Sequence, residues 1–122
     1  MKALLQRVTQ ARVEVAGEVV GSIDQGLLVL VGIEPLDTKA SADKLLQRLL
    51  KYRVFNDAAG RMNSSVQDVH GGLLLVSQFT LAADTGKGLR PGFSTAAAPA
   101  DAEPLFAYLL AQAERAYSPV AS

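Results

Sequence analysis

Polar groups that could take part in acyl chemistry follow directly after one apolar segment. Residues 73–76, Leu-Leu-Leu-Val, lead into the sequence Ser77-Gln78-Phe79-Thr80. A short apolar run that begins after two glycines is typical of a core strand. A loop rich in glycine and carrying Lys87 and Arg90 comes next. The pattern predicts that a rigid strand delivers hydroxyls, an amide and backbone N–H groups to a sheet edge beside a basic loop; a strand end followed by a solvated turn is the alternative.

The faces of this strand depend on where it ends. If it continues to Thr80, Ser77 and Phe79 point to one side of the sheet, and Gln78 and Thr80 to the other. Backbone N–H donors aimed at a developing oxyanion suit ester hydrolysis.

Ser77 and His70, together with one of several aspartates, are the residue types of a Ser-His-Asp catalytic triad. His70 precedes Ser77 by seven residues, which is about 20 Å along an extended strand. It also sits beside two glycines in an expected turn. The spacing therefore argues against a triad and predicts a structural or solvent-exposed role for His70.

The sequence gives little support for a phosphate-binding loop or a metal site. The sequence Thr85-Gly86-Lys87-Gly88 lacks the Lys-Ser/Thr pair that follows the second glycine of a phosphate-binding loop. The chain has no cysteine and one histidine, and its aspartates are scattered over turns and helix starts. We expect no metal site and no cofactor.

Composition indicates one folded domain. The chain has 122 residues, of which 49% are hydrophobic, and twelve basic side chains balance twelve acidic ones. A net charge of zero argues against binding of nucleic acid by bulk electrostatics, so an RNA partner would need a local patch. Polar residues interrupt the apolar ones at the N-terminus, so no signal-peptide core is expected there, and the longest apolar run, around 27–33, is too short to span a bilayer. We therefore predict a cytoplasmic protein with no membrane partner.

The remaining elements must hold the central strand in place. Alternating patterns predict strands at 2–9, 12–15 and 19–23, the last two forming a hairpin, and a wholly apolar strand at 27–33 that is covered on both faces. Thr38 or Ser41 is expected to cap a helix with a buried stripe and a solvated basic face. A short strand is predicted at Val54-Phe55, whereas residues 62–66 are too weakly patterned to assign. A second helix is expected from an N-cap at Asp101, with Pro104 in its first turn.

Several of these segments together resemble one family, the D-aminoacyl-tRNA deacylases, also called D-tyrosyl-tRNA deacylases. The paired signatures are Ser77-Gln78-Phe79-Thr80-Leu81 and Gly88-Leu89-Arg90-Pro91-Gly92-Phe93. Further matches follow the same order along the chain: Gln6-Arg7-Val8, residues 26–32, Tyr52-Arg53-Val54-Phe55 and Met62-Asn63. The resemblance covers nearly the whole chain, from Met1 to about Ser118.

The resemblance implies an α/β fold, a three-layer β-β-α sandwich, for residues 1–122 as a single domain. It implies cleavage of the ester between a D-amino acid, or mischarged glycine, and the 3′ end of tRNA, with no DNA partner and with a homodimer in full-length relatives. The catalytic residues carried over are Ser77, Gln78, Phe79 and Thr80. The substrate-binding residues carried over are Arg7, Met62, Leu89, Arg90 and Pro91.

The roles implied for these residues differ. The main chain at Phe79 and Thr80 would contact the aminoacyl group, with Ser77 and Gln78 shaping the pocket. Arg7 would steady the element that reads chirality. Because no general base is evident beside Thr80, attack by water is favoured over a covalent intermediate.

The sequence departs from the family at its C-terminus. The family closes with two strands carrying a Gly-cis-Pro pair that enters the partner's site and excludes L-amino acids. None of the five prolines here follows a glycine. We therefore expect a C-terminally shortened domain with the closing strands missing. The alternative function is a catalytically inactive remnant that acts as a dimerisation or RNA-binding module.

Overall fold

The strands and helices below come from a computed structural model, which describes residues 1–78 and 98–122. In chain order they are β1 Lys2–Val8, β2 Ala11–Val15, β3 Glu18–Ile23, β4 Gly26–Gly32, α1 Lys39–Lys51, β5 Phe55–Asn56, β6 Met62–Ser64, β7 Gly72–Ser77, α2 Pro99–Ala116 and β8 Val120–Ala121. The strands expected from alternation are all present, and the unassigned segment at 62–66 contributes β6.

The main sheet has four strands in the order β1-β4-β7-β8. β4 is antiparallel to β1 and parallel to β7, which is in turn parallel to β8. β2 and β3 form the predicted hairpin, and β5 and β6 form a smaller one. The apolar strand β4 is therefore internal to the sheet, as its composition predicts.

Different elements pack against the two faces of the main sheet. Leu27, Val29 and Val31 of β4 and Leu73 and Leu75 of β7 are fully buried against the helices. On the opposite face Ile23 of the β2–β3 hairpin lies against Gly72. The predicted α/β class is confirmed, with helices on one side of the sheet and a β hairpin on the other.

Helix α1 uses both candidate capping residues. Thr38 is the N-cap, and its backbone N–H donates to the Ser41 hydroxyl at 3.0 Å. The predicted stripe faces the core: Ala42, Leu46, Leu49 and Leu50 are buried and Leu45 is partly buried. The apolar spacing thus places the basic residues of α1 on its outer side.

Helix α2 begins earlier than the sequence indicates. Ala98 is the N-cap, because its carbonyl already accepts the N–H groups of Asp101 and Ala102, each at 2.9 Å. Proline has no backbone N–H and suits the first helical position, which Pro99 occupies. The predicted N-cap at Asp101 is wrong, and Pro104 lies inside the helix rather than in its first turn.

The segment after α2 returns to the main sheet. Val120 pairs with Leu73 and Ala121 with Leu74, and the Leu73 N–H donates to the Pro119 carbonyl at 3.0 Å. The peptide bond between Ser118 and Pro119 is cis. The first half of β7 therefore has a strand on each side.

Candidate functional site

Strand β7 carries the start of the predicted catalytic motif to the end of the main sheet. Ser77 is its last residue and pairs with Val31 of β4. The Gln78 backbone N–H then donates to the Val31 carbonyl at 2.7 Å. The strand thus ends at Ser77, and the hydrogen bond from Gln78 extends its pairing with β4 by one residue.

Ser77 lies on the same face of the sheet as the buried residues Leu73 and Leu75, since side chains alternate along a strand. Its own side chain is exposed, whereas Leu75 is fully buried. Gln78 is partly buried and has an interaction partner. The strand therefore runs from the core to a polar, solvent-accessible end, as the sequence predicts.

The other predicted residues of the two signatures fall outside the described ranges. They are Phe79, Thr80, Leu89, Arg90 and Pro91.

Arg7 lies at the opposite end of the sheet from Ser77. It pairs with Leu27, whereas Ser77 pairs with Val31 four residues further along β4. At ordinary strand spacings, two strands across and four residues along amount to about 16 Å between the two Cα atoms. Within one chain, the structure does not bring Arg7 and Ser77 together.

Met62 belongs to β6, whose partner strand β5 reaches a cleft beside Arg7. Its register partner in the β5–β6 hairpin is Asn56, which lines a cleft of about 350 Å³ together with Arg7. Met62 itself is 58% exposed. The β5–β6 hairpin thus reaches the cleft beside Arg7 through Asn56, and Met62 does not line that cleft.

The partly buried Tyr117 and a pair of hydrogen bonds between Ser65 and Asp68 fix the turn that precedes β7. The Ser65 N–H donates to the Asp68 carboxylate at 2.8 Å, and this bond lowers the pKa of Asp68. The Tyr117 hydroxyl lies 3.0 Å from the Val66 carbonyl oxygen and also contacts that of Gly71. Burial raises the pKa of Tyr117. These contacts hold the end of α2 against the start of β7.

His70 belongs to this turn and faces solvent. Its φ of 54° is in the left-handed region, and its N–H donates to the Gln67 carbonyl at 3.2 Å. All of β7 separates it from Ser77. The structure does not bring a histidine to Ser77, in agreement with the sequence argument against a triad.

We expect His70→Asn to leave the ester hydrolysis implied by the family resemblance within about twofold of the original rate, because an exposed turn residue touches no reacting atom. Asparagine is the substitution of choice, since it tolerates a positive φ better than alanine does. Steady-state kinetics on both proteins is the measurement. A loss of 10³-fold or more, the scale of a missing triad member, would contradict the assignment.

Across residues 1–78 and 98–122, no group of three His, Cys, Asp or Glu side chains could hold a metal ion. Neither helix there combines the length and apolar content needed to cross a bilayer.

Sequence comparison identifies relatives over the full chain. Residues 4–122 match the family model described as D-Tyr-tRNA(Tyr) deacylase. The chain is 72% identical to the D-aminoacyl-tRNA deacylase of Pseudomonas fluorescens (strain Pf0-1) and 70% identical to that of Pseudomonas syringae pv. tomato. Each match covers all of this chain and 84% of the relative.

Two solved structures resemble the fold. One, named c-Myc DNA Unwinding Element Binding Protein, is 38% identical with a TM-score of 0.92, covering 98% of this chain and 82% of that one. Another, described as a probable eukaryotic D-amino acid tRNA deacylase, is 17% identical with a TM-score of 0.79. The match covers 93% of this chain and 67% of that one, and at this identity it supports the fold alone. From the family match and the curated relatives, the chain belongs to the D-Tyr-tRNA(Tyr) deacylase family.

Proposed function

We propose that this chain hydrolyses the ester between a D-amino acid and the 3′ end of tRNA, releasing the free amino acid and tRNA. Glycine mischarged onto tRNA is included as a substrate, and the role is proofreading of translation in the cytoplasm. The observation that carries the proposal is the end of β7, where Ser77, the first residue of the Ser77-Gln78-Phe79-Thr80 signature, is exposed and the Gln78 N–H is bonded to the Val31 carbonyl. Family membership supports the choice of substrate.

The chemistry proposed for this site uses backbone and neutral polar groups. Backbone N–H donors near Phe79 and Thr80 would stabilise the oxyanion of the tetrahedral intermediate, an effect often worth about 3–4 kcal/mol per donor. Water attacks the ester carbonyl, the ester C–O bond breaks, and the tRNA hydroxyl leaves with a proton. Thr80 would position groups in the pocket, since the lone histidine lies in the turn before β7.

We propose that the active form is a homodimer. Arg7 lies about 16 Å from Ser77 within one chain, too far to share its pocket, so a second copy would supply it. The hairpin-side face of the main sheet also carries the apolar row Leu4, Leu30 and Val76, of which Leu4 is 54% exposed. Apolar patches of this kind favour association. A monomer at all concentrations in sedimentation would contradict the dimer.

The test of the function is deacylation of D-Tyr-tRNA and L-Tyr-tRNA by the purified protein. We expect the D ester to be cleaved faster than its spontaneous hydrolysis, without inhibition by EDTA and without a covalent aminoacyl adduct on Thr80 in mass spectrometry. Cleavage of the L ester at the same rate would show that chirality is not read. No cleavage of the D ester would overturn the proposal and favour an inactive dimerisation or RNA-binding module.

We propose an RNA partner and no DNA partner. A solved relative is named for a DNA element, so duplex DNA is added as a competitor when the binding of tRNA is measured. The balanced charge of the chain argues against bulk electrostatic binding of either nucleic acid. Recognition must therefore come from a local surface.

A further inference from the structure

We propose that the outer face of α1 docks the phosphate backbone of the tRNA acceptor arm. This α1 basic face consists of Lys44, Gln47, Arg48 and Lys51, together with Tyr52 directly after the helix. The inference rests on the proposed function, since it assigns a surface for the same substrate. It concerns residues that the deacylase signatures do not include, apart from Tyr52.

The charge of this face has no internal counter-ion. Lys44, Arg48 and Lys51 are all exposed, and their spacing places them on one side of the helix. In the described ranges, no carboxylate lies within ion-pair distance of any of the three. Because the whole chain has zero net charge, this is a local concentration of cations rather than part of a uniformly basic protein. Such a patch attracts a polyanion locally.

The face forms the ridge between two clefts. One cleft of about 300 Å³ lies between α1 and the edge strand β1, and another of about 320 Å³ lies on the outer side of the helix. Lys44, Arg48 and Tyr52 line both. Asp37 lines the first cleft, but its carboxylate is bonded to the Met1 ammonium at 2.6 Å. The cations are therefore not neutralised from within the cleft.

Tyr52 adds a feature expected of an RNA surface. Its side chain is 43% exposed and lies beside Arg48 and Lys51. Unpaired bases stack on aromatic rings, while neighbouring cations contact the phosphates. An acceptor arm has both a base-paired stem and an unpaired 3′ end. The chemistry of the face matches that combination.

The position of the first cleft relates this face to the end of β7. Ala3 lines the cleft, pairs with Val31 in β4, and Val31 pairs with Ser77. Two strand spacings therefore separate the Cα atoms of Ala3 and Ser77, about 10 Å. A tRNA whose 3′ end reaches Ser77 can thus have its stem over α1.

Stabilisation of α1 alone is the competing explanation for two of the cations. Arg48 and Lys51 lie in the last turn, where positive charge interacts favourably with the helix dipole. That explanation predicts an effect on stability and none on RNA affinity. The two roles therefore separate experimentally.

The test compares two triple variants with the same change of net charge. The patch variant carries Lys44→Gln, Arg48→Gln and Lys51→Gln, and glutamine preserves helix propensity. The control carries Arg12→Gln, Arg61→Gln and Arg115→Gln, which are exposed basic residues outside this face. Binding of uncharged tRNA is measured by fluorescence anisotropy as a function of salt, and deacylation is measured on D-Tyr-tRNA and on 3′-D-tyrosyl-adenosine.

We expect the patch variant to bind tRNA at least about tenfold more weakly at 50 mM salt, with a log–log salt slope shallower by about two to three. KM for D-Tyr-tRNA should rise while kcat, and turnover of the adenosine ester, stay within about twofold. The control should bind as the original protein does.

Equal affinities of the two variants for tRNA, or a fall in the patch variant's turnover of the adenosine ester, would overturn the docking surface. Displacement of tRNA by duplex DNA as effectively as by unlabelled tRNA would overturn it as well. A protein that binds tRNA through this face but cleaves no D ester would retain the surface and refute the proposed activity. The melting temperature of each variant confirms that it is folded.

Discussion

Gly26→Ala is expected to lower the free energy of unfolding by about 3 kcal/mol or more and to abolish activity. Gly26 and Gly72 are register partners at the start of the parallel β4–β7 pair. A Cβ at Gly26 would overlap the Gly72 carbonyl oxygen and come 2.6 Å from the Gly72 nitrogen. Backbone atoms of an internal strand cannot move aside as a side chain can, so the strain exceeds ordinary overpacking of about 1–3 kcal/mol. Urea denaturation measures the loss.

Gly17→Ala is the matched control. Gly17 is in a turn with φ of 82°, and a Cβ there meets nothing within 4 Å. Its cost should be about 1 kcal/mol, from the positive φ alone. Equal destabilisation by the two substitutions would show that the close approach of β4 and β7 is not what requires glycine at position 26.

Tyr117→Phe is expected to lower the free energy of unfolding by about 1–3 kcal/mol. The substitution removes the hydroxyl that bonds to the Val66 carbonyl oxygen at 3.0 Å and to that of Gly71, in a partly buried site. The Val66 carbonyl keeps the Gly71 N–H as a donor at 2.9 Å, so the loss falls on the Gly71 carbonyl, and an acceptor that loses its donor costs about this much. Tyr52→Phe is the control, since the Tyr52 hydroxyl has no hydrogen bond within the described ranges, and it should be nearly neutral. A similar loss from both variants would contradict the role of Tyr117.

The same hydroxyl predicts a dependence on alkaline pH. Burial raises the pKa of Tyr117 above its ordinary value near 10. Between the pKa of the unfolded state and that of the folded state, the folded protein holds a proton that the unfolded chain releases. The stabilisation is therefore fully present below about pH 10 and is lost as pH rises through the folded pKa. Denaturation at pH 7 to 11 should show a steeper decline for the original protein than for Tyr117→Phe. Parallel declines would exclude Tyr117 as the source.

The sequence predicts the elements better than their ends. The 3.6-residue period of α1 and the unbroken apolar run of β4 each follow from burial on a regular element, and both are confirmed. The start of α2 is different, because Ala98 has no capping side chain and its carbonyl acts as the first acceptor through backbone geometry alone. Asp101 has the side chain of an N-cap, but lies within the first turn.

Part of the candidate site could be predicted from the sequence, and part depends on how the strands pair. Ser77 can be placed at the end of β7 because an apolar strand that becomes polar must be leaving the core. The separation of Arg7 from Ser77 could not be predicted, since it depends on β1 being antiparallel and β7 parallel to β4. Gly26 and Gly72 read as ordinary turn glycines in the sequence. Only the register shows that their backbones approach too closely for a side chain.

The parallel pairing of β4 with β7 also has a consequence for the order in which the protein folds. β1 and β4 enclose only a hairpin, whereas α1 and the β5–β6 hairpin lie between β4 and β7. Contacts between segments far apart in sequence raise the contact order, and loop-closure entropy must be overcome before such a pairing forms. Helix α1 and the two hairpins can therefore form early, while the end of β7 at Ser77 reaches its final place late. During synthesis on the ribosome, the segment up to β4 emerges with one edge of β4 awaiting a strand that has not yet been translated.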